Sequence, residues 1–327
     1  MKRIVVFLLS TIFTGVVYAQ KVEDPSIRPV VNECRAMDAE GSLHGGILIA
    51  KNQEIIYQKA FGNSPAGSNK ESTVFNIASM GKMFTALSIL QLVQAEKIAI
   101  DSKVGDILPE YSNHKSSKEI SIFHLLTHTN GIPEVFQMNL GIDPMNPSDI
   151  SHKELVEVLS KKRLKHKPGK KWSYTNSGYV LLGRIIEKIS NMSYCEYVKE
   201  NILEPSGMLS TGCGFGAGGA ESTMEDMFRF SNALLSNKLI SKELKESAMS
   251  EKASVENEVG YGFGFFVTKM NGGKEVSHSG GVPEMINCQL LMFVDSGYTV
   301  VVFSNNPKGF DSYHKLRKLI RRHLSSV

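Results

Sequence analysis

Residues 75–82 read Phe75-Asn76-Ile77-Ala78-Ser79-Met80-Gly81-Lys82, and an apolar pattern of helical period follows at once. Met83, Leu87, Leu90 and Val93 recur at steps of three and four, which predicts an amphipathic helix from Ser79 to near Lys97 with one buried face. Ser79 and Lys82 stand three apart at its head, so both point to one side. A serine hydroxyl is a weak nucleophile until a base takes its proton, and a lysine amine can do so. Desolvation or nearby positive charge must then keep that amine largely neutral. The start of a helix adds backbone N–H groups and positive potential where an oxyanion would develop. A surface Ser and Lys on any helix give the same pattern, so its meaning depends on the rest of the chain.

The chain has 327 residues, 42% of them hydrophobic and 21% charged, a composition of soluble globular proteins rather than disordered or membrane ones. Met1-Lys2-Arg3 is a short basic head, residues 4–17 are apolar, and Val17-Tyr18-Ala19 is a small-x-small signal. This predicts a signal peptide over residues 1–19, cut after Ala19, leaving an exported, periplasmic or secreted chain of residues 20–327 with no stable membrane anchor. Gln20, not Cys, follows the cut, so no lipid-attachment cysteine is present there. Loss of Lys2 and Arg3 lowers the formal charge from +4 to +2. The basic run of Lys161, Lys162, Arg163, Lys165, Lys167, Lys170 and Lys171 reads as a solvated helix end and loop, not as a nucleic-acid patch. Cys34, Cys195, Cys213 and Cys288 allow one or two disulfides in an oxidising compartment, with three complete pairings open.

Residues 46–50 and 54–60 form a predicted hairpin, residues 62–72 a loop and residues 101–111 a connector. Helices are expected over 122–129, 153–161, 178–189, 195–202 (stopped by Pro205) and 222–235, with loops at 144–148 and 212–219. Strand character returns at 261–270, 285–294 and 298–304, and a basic amphipathic helix closes the chain over 313–324. Strands at both ends and a helical middle predict an α+β fold. One antiparallel sheet is built from the N- and C-terminal strands and flanked by helices, with a mostly helical region inserted at roughly 95–250.

Two further elements carry chemistry. Tyr174 precedes Asn176 by two: a phenol there can relay a proton, and the Asn can hydrogen-bond a substrate amide. His278-Ser279-Gly280-Gly281 precedes a β-rich run, where Gly-Gly lets a substrate backbone come close. The Gly281 and Ser79 N–H groups would aim at one oxyanion. An ordinary turn and a glycine bend are the plain readings of each alone.

Taken in order, S-x-x-K, Y-x-N and H-x-G resemble the serine β-lactamase and penicillin-binding-protein superfamily, nearest its class C-like, β-lactamase-related branch. Residues 123–132 (FHLLTHTNGI), 167–179 (KPGKKWSYTNSGY), 218–230 and 261–265 (YGFGF) are similar to further segments of that branch. The resemblance implies a β-lactamase/transpeptidase-like fold and an acylated nucleophile at Ser79, with Lys82 and Tyr174 sharing general-base and general-acid work. It also implies Asn176 on a substrate amide or on Lys82, and an oxyanion hole from the Ser79 and Gly281 N–H groups. His278, Gly280 and Gly281 would line the substrate. No metal or cofactor is implied, and the partner is a small molecule or peptide: an ester, a D-amino-acid peptide or a β-lactam.

His278 stands where the family's β-lactamases and D,D-peptidases place the lysine of K-T-G. A mostly neutral histidine holds a carboxylate less strongly, so an esterase or peptidase is expected ahead of an efficient β-lactamase. Glu284 replaces an expected glycine, and its charge would repel anionic substrates or favour a free amine. The competing reading is a slowly acylating or non-hydrolytic penicillin- or muropeptide-binding protein. His124 and His128 have metal-ligand spacing without an intervening Glu and are expected to be structural. Residues 214–219 match G-x-G-x-x-G but follow no strand, and no G-x-S-x-G occurs.

Overall fold

The computed structural model describes residues 24–64, 67–141, 150–271, 273–282, 285–305 and 310–325. The signal-peptide segment, the 144–148 loop and Glu284 lie outside the described residues.

The strands are β1 (Gly45–Lys51), β2 (Glu54–Phe61), β3 (Asn63–Ser64), β4 (Gly67–Ser68), β5 (Phe75–Ala78), β6 (Ala220–Ser222), β7 (Ala253–Glu256), β8 (Val259–Tyr261), β9 (Phe266–Met270), β10 (Gly273–Val282), β11 (Ile286–Phe293) and β12 (Tyr298–Ser304). The α-helices are α1 (Arg28–Ala39), α2 (Lys82–Gln94), α3 (Val104–Ile107), α4 (Ile122–Leu126), α5 (His152–Leu159), α6 (Asn176–Ser190), α7 (Tyr194–Val198), α8 (Glu204–Ser206), α9 (Met224–Leu235), α10 (Lys242–Ala248) and α11 (Phe310–Leu324).

Eight strands form one antiparallel sheet in the order β2-β1-β12-β11-β10-β9-β8-β7. Strand β1 therefore pairs with β2 on one side and with the last strand, β12, on the other, as a sheet built from both termini requires. The β1–β2 turn is made by Asn52 and Gln53, both with positive φ (49° and 67°), the twist that a tight hairpin needs. Every residue of β12 is buried, because both faces of the sheet are covered. On one face Ile27, Val30, Val31 and Cys34 of the α1 segment and Leu316, Ile320 and Leu324 of α11 pack against Ile47, Ile49, Leu291 and Val300. On the other, α2, α6 and α9 close over Leu48, Leu290, Val301 and Phe303.

Several expectations are corrected. The α2 helix is not amphipathic: Met83 through Leu90 are all buried, since the sheet lies on one side and the helical layer on the other. Its two hydroxyls are satisfied internally, Thr85 Oγ1 donating to Gly216 O (2.7 Å) and Ser88 Oγ to Phe84 O (2.8 Å). Residues 79–81 form a 3₁₀ turn ahead of α2, which begins only at Lys82. The helix expected over 195–202 is α7 followed by a π-helical turn over Lys199–Leu203, and Pro205 sits within a further short turn that begins at Glu204 rather than ending the run. Asn176, not Gly178, opens α6, because Thr175 caps it by accepting from Ser177 N–H (3.3 Å). The His278 segment lies inside β10 instead of before a strand. A Cys195–Cys213 disulfide is formed, while Cys34 and Cys288 are buried free thiols. Among the described residues no helix is long and apolar enough to cross a membrane.

Candidate active site

Three elements bring the site around Ser79 into place. Strand β5 delivers the chain to Ala78, whose φ of 44° and ψ of −126° are strained for a residue with a side chain, a cost of about 1–3 kcal/mol. Asn76 Oδ1 accepts from Ala78 N–H (2.8 Å) and helps hold that bend. The 3₁₀ turn then starts at Ser79. In such a turn residues three apart eclipse, so Lys82 folds back over Ser79.

Lys82 Nζ donates to Ser79 Oγ (3.0 Å), to Asn176 Oδ1 (2.7 Å) and to Ala217 O. It lies 5.0 Å from the Tyr174 ring centroid. The side chain is fully buried, and desolvation lowers its pKa to about 7 against the upward pull of the Glu134 charge. A lysine near that value supplies the free amine that can take the Ser79 proton. The Tyr174 hydroxyl is enclosed beside Ser79; burial pushes its pKa up, and the Ser79 hydrogen bond acts the other way. Tyr174 is therefore a neutral proton donor at ordinary pH.

Two neighbouring loops set Tyr174. Ser173 N–H donates to His128 O (2.8 Å), Thr175 N–H to His128 Nδ1 (3.4 Å) and Gly169 N–H to Thr129 O (2.8 Å). The buried His128 ring packs against Tyr174 with centroids 4.3 Å apart and planes tilted by 33°, and desolvation holds it neutral. His124 instead closes the capping box of α4 with Ser121. Both histidines have packing and capping roles in this arrangement.

The third element is β10. Its pairing with β9 ends at Ser277–Phe266, whereas its pairing with β11 continues to Val282. Beyond Ser277 the β9-side edge of β10 is thus open, and Gly280 and Gly281 run past Ser79. A cleft of about 90 Å³ results, lined by Asn76, Ala78, Ser79, Phe136, Asn176, Ala217, Gly218, Gly219, Gly281 and Val282. Gly218 and Gly280 keep the space clear. A β-carbon on Gly218 would sit 2.7 Å from Ala78 O, and one on Gly280 2.2 Å from Ile77 O. Gly281 lines the cleft with Ser79, as two converging oxyanion donors require.

His278 is set back from this cleft. Its Nε2 lies 3.2 Å from Tyr261 Oη and its Nδ1 2.6 Å from Ser279 O, so the protein itself engages both nitrogens. Burial, and then the Lys82 charge, lower its pKa to about 3. The ring is neutral at physiological pH.

The structure thus gathers Ser79, Lys82, Tyr174, Asn176, Gly280 and Gly281 around one cleft, with His278 behind it. Sequence reading missed Glu134, whose Oε2 accepts from Asn176 N–H (2.7 Å), and Ala217, whose carbonyl holds Lys82. Glu134 follows the FHLLTHTNGI segment by two residues, and the 212–219 loop was legible only as glycine-rich.

The family model described as Beta-lactamase matches residues 32–325. Penicillin-binding protein 4* of Bacillus subtilis is 30% identical over 313 residues, covering 80% of this chain and 68% of the relative. The crystal structure of a penicillin-binding protein from Bacillus halodurans superposes with a TM-score of 0.77 at 26% identity, covering 88% of this chain and 98% of that one. The D-amino acid amidase of Ochrobactrum anthropi shares the fold, with a TM-score of 0.76 at 20% identity over 91% of this chain and all of that one (100%). With the family model spanning nearly all the described residues, this chain belongs to the beta-lactamase family, within the superfamily of serine β-lactamases and penicillin-binding proteins.

Proposed function

We propose that the protein is an exported serine hydrolase that cleaves an uncharged ester or amide through an acyl-enzyme on Ser79. The observation that carries this reading is the buried Lys82 amine, 3.0 Å from Ser79 Oγ and held near a pKa of 7. Ser79 Oγ attacks the carbonyl carbon and its proton passes to Lys82 Nζ. The tetrahedral oxyanion is held by the Ser79 and Gly281 N–H groups. As the intermediate collapses, the leaving oxygen or nitrogen takes a proton from Tyr174, which recovers one from Lys82 through Ser79's site. Water then enters, loses a proton to the same pair and releases the acid. Asn176 orients Lys82 through its Oδ1, leaving its amide N–H groups for the substrate.

The electrostatics favour an esterase or peptidase over an efficient β-lactamase. Among the described residues that line the cleft none is basic, and His278 is neutral with both nitrogens engaged. Apart from Lys82, whose amine is engaged by Ser79, Asn176 and Ala217, a substrate carboxylate therefore meets no cation among the described residues there. The fold alone is shared by proteins with different substrates and does not choose between ester and amide. The Cys195–Cys213 disulfide supports export to an oxidising compartment.

Turnover of a neutral chromogenic ester, and of a D-amino-acid amide, should be measured for the wild type and Ser79→Ala. Hydrolysis of either, lost in Ser79→Ala and unaccompanied by rapid penicillin hydrolysis, agrees with the proposal. Rapid penicillin turnover without ester or amide cleavage would assign the site to β-lactams instead.

A further inference from the structure

Glu134 lies on neither the S-x-x-K turn nor the Tyr174 loop, yet it is joined to both. Its segment is stitched to the start of α6 at several points. Ser177 Oγ donates to Pro133 O (2.6 Å) and accepts from Val135 N–H (2.9 Å), while Glu134 Oε2 accepts from Asn176 N–H (2.7 Å). Its other oxygen accepts from Phe136 N–H (3.2 Å), which fixes the carboxylate from both sides. Phe136 itself lines the cleft. From Asn176 the path continues through Oδ1 to Lys82 Nζ (2.7 Å) and on to Ser79 Oγ (3.0 Å).

The other groups that face Lys82 carry no standing charge at neutral pH. Tyr174 ahead of α6 and Tyr179 within it are phenols that burial keeps protonated. His128 after α4 and His278 on β10 are imidazoles that burial keeps neutral. Ala217 contributes a carbonyl dipole. Among the described residues Glu134 is the anion whose charge acts on Lys82. A carboxylate at the first N–H of a helix is also where the backbone dipole favours it.

We propose that Glu134 is a positioning residue of the nucleophilic centre: it anchors the Asn176 backbone, aligns Asn176 Oδ1 on Lys82, and supplies the negative charge that sets the pH range over which the Lys82 amine is free. The inference rests on Ser79 being the nucleophile and Lys82 its base. It deepens that reading by adding a control on the base. Without Glu134, burial acts on Lys82 unopposed and the amine loses its proton at lower pH. With it, the ammonium form persists into the neutral range, where the proton can be handed back to Tyr174 and the leaving group.

The test is the rate of Ser79 phosphonylation by a fluorophosphonate, followed by intact mass from pH 4.5 to 9 in the wild type, Glu134→Gln and Glu134→Asp. Glu134→Gln keeps the shape and the hydrogen bond from one of the two backbone N–H groups, since its amide NH2 cannot accept from the other, and removes the charge. Its acidic limb is expected to move to lower pH by about one pH unit, with Glu134→Asp lying between it and the wild type. In parallel, ¹³C-lysine NMR, with Lys82 assigned by Lys82→Met, should show the same displacement of the Lys82 titration. An unmoved limb and an unmoved Lys82 titration in folded Glu134→Gln would overturn the inference while leaving Ser79 as the nucleophile. No phosphonylation of the wild type at any pH would overturn both.

Discussion

Gly280 passes Ile77 so closely that a β-carbon on Gly280 would lie 2.2 Å from Ile77 O and 3.0 Å from Ser79 N. Both contacts are to backbone, so no side chain can swing away to relieve them. Strand β10, which carries Gly280 and Gly281, and strand β5, which leads into Ser79, are therefore held at a separation only glycine permits. Cys288 Sγ fills the space beneath, within 3.1 Å of Ile77 O and 3.2 Å of Gly280 O.

Gly280→Ala should accordingly damage chemistry more than folding. Overpacking of this kind costs about 1–3 kcal/mol of stability. A displacement near 1 Å of the oxyanion donors relative to Ser79 is expected to lower kcat/KM by about 100-fold. Thermal denaturation alongside ester kinetics checks this. A near-normal rate in Gly280→Ala would mean that the two strands are free to separate.

In the proposed mechanism Lys82 gives the reaction its pH dependence. The amine titrates near pH 7 in the folded protein, so phosphonylation of Ser79 should fall about tenfold per pH unit below 7 and level off above it. Stability follows the opposite logic. Between about pH 7 and the unfolded lysine value near 10.4 the unfolded chain holds the extra proton, so stability rises with pH across that window. Below pH 7 the burial penalty is present in full. Lys82→Met is therefore expected to abolish acylation and raise stability by roughly 1–3 kcal/mol at pH 6. Calorimetry at pH 6 and pH 9 checks the sign, with the larger gain at pH 6.

The Cys195–Cys213 disulfide spans 18 residues and tethers the start of the 212–219 loop. That loop provides the Ala217 carbonyl on Lys82 and the Gly218–Gly219 wall of the cleft. Replacing both cysteines with alanine should cost about 3 kcal/mol. Activity should fall at temperatures below the lowered Tm, because the loop loosens before the domain unfolds. Equal loss of activity and of folded protein would remove the link between the disulfide and the site.

Behind β10 the fully buried Glu275 is held by Arg321 of α11, Nε on Oε2 at 2.6 Å and Nη2 on Oε1 at 2.7 Å. Desolvation pushes the Glu275 carboxyl up, but the Arg321 hydrogen bonds and the charges of Arg321 and Arg317 prevail and hold it below the usual range. The stability it gives is present above the unfolded carboxylate value and is lost as pH falls through the depressed one. Arg321→Met should destabilise by about 3 kcal/mol at pH 7, since the buried charge is left with Arg317 at 3.6 Å and the Ser277 hydroxyl at 2.8 Å. The gap between mutant and wild type should narrow as the pH falls and Glu275 takes up a proton. Denaturant titrations at pH 4 and pH 7 measure it.

Much of the fold was legible because its signals are local. The β1–β2 hairpin, β11, β12 and α9 stand close to where alternation, turn residues and caps put them. The burial of α2 is also written in Met83-Phe84-Thr85-Ala86-Leu87-Ser88-Ile89-Leu90, whose apolar residues lie on both faces of the helix rather than in one stripe. α1 escaped notice because polar residues interrupt its apolar positions, and β10 because its glycines look like a turn. The site residues Ser79, Lys82, Tyr174 and Asn176 were readable as spaced pairs. Glu134 was not, since its importance comes from a contact with Asn176 across 42 residues of sequence. The inward turn of His278 likewise depends on Tyr261, a partner that no local pattern reveals.

The most direct test of the central claim is the intact mass of residues 20–327 after incubation with a fluorophosphonate and, separately, with a penicillin, using Ser79→Ala as control. A single fluorophosphonate adduct on the wild type, mapped to Ser79 and absent from the variant, is the predicted result, with little or no lasting penicillin adduct. An unmodified wild type, or an adduct that survives Ser79→Ala, would contradict the assignment of Ser79 as the activated nucleophile.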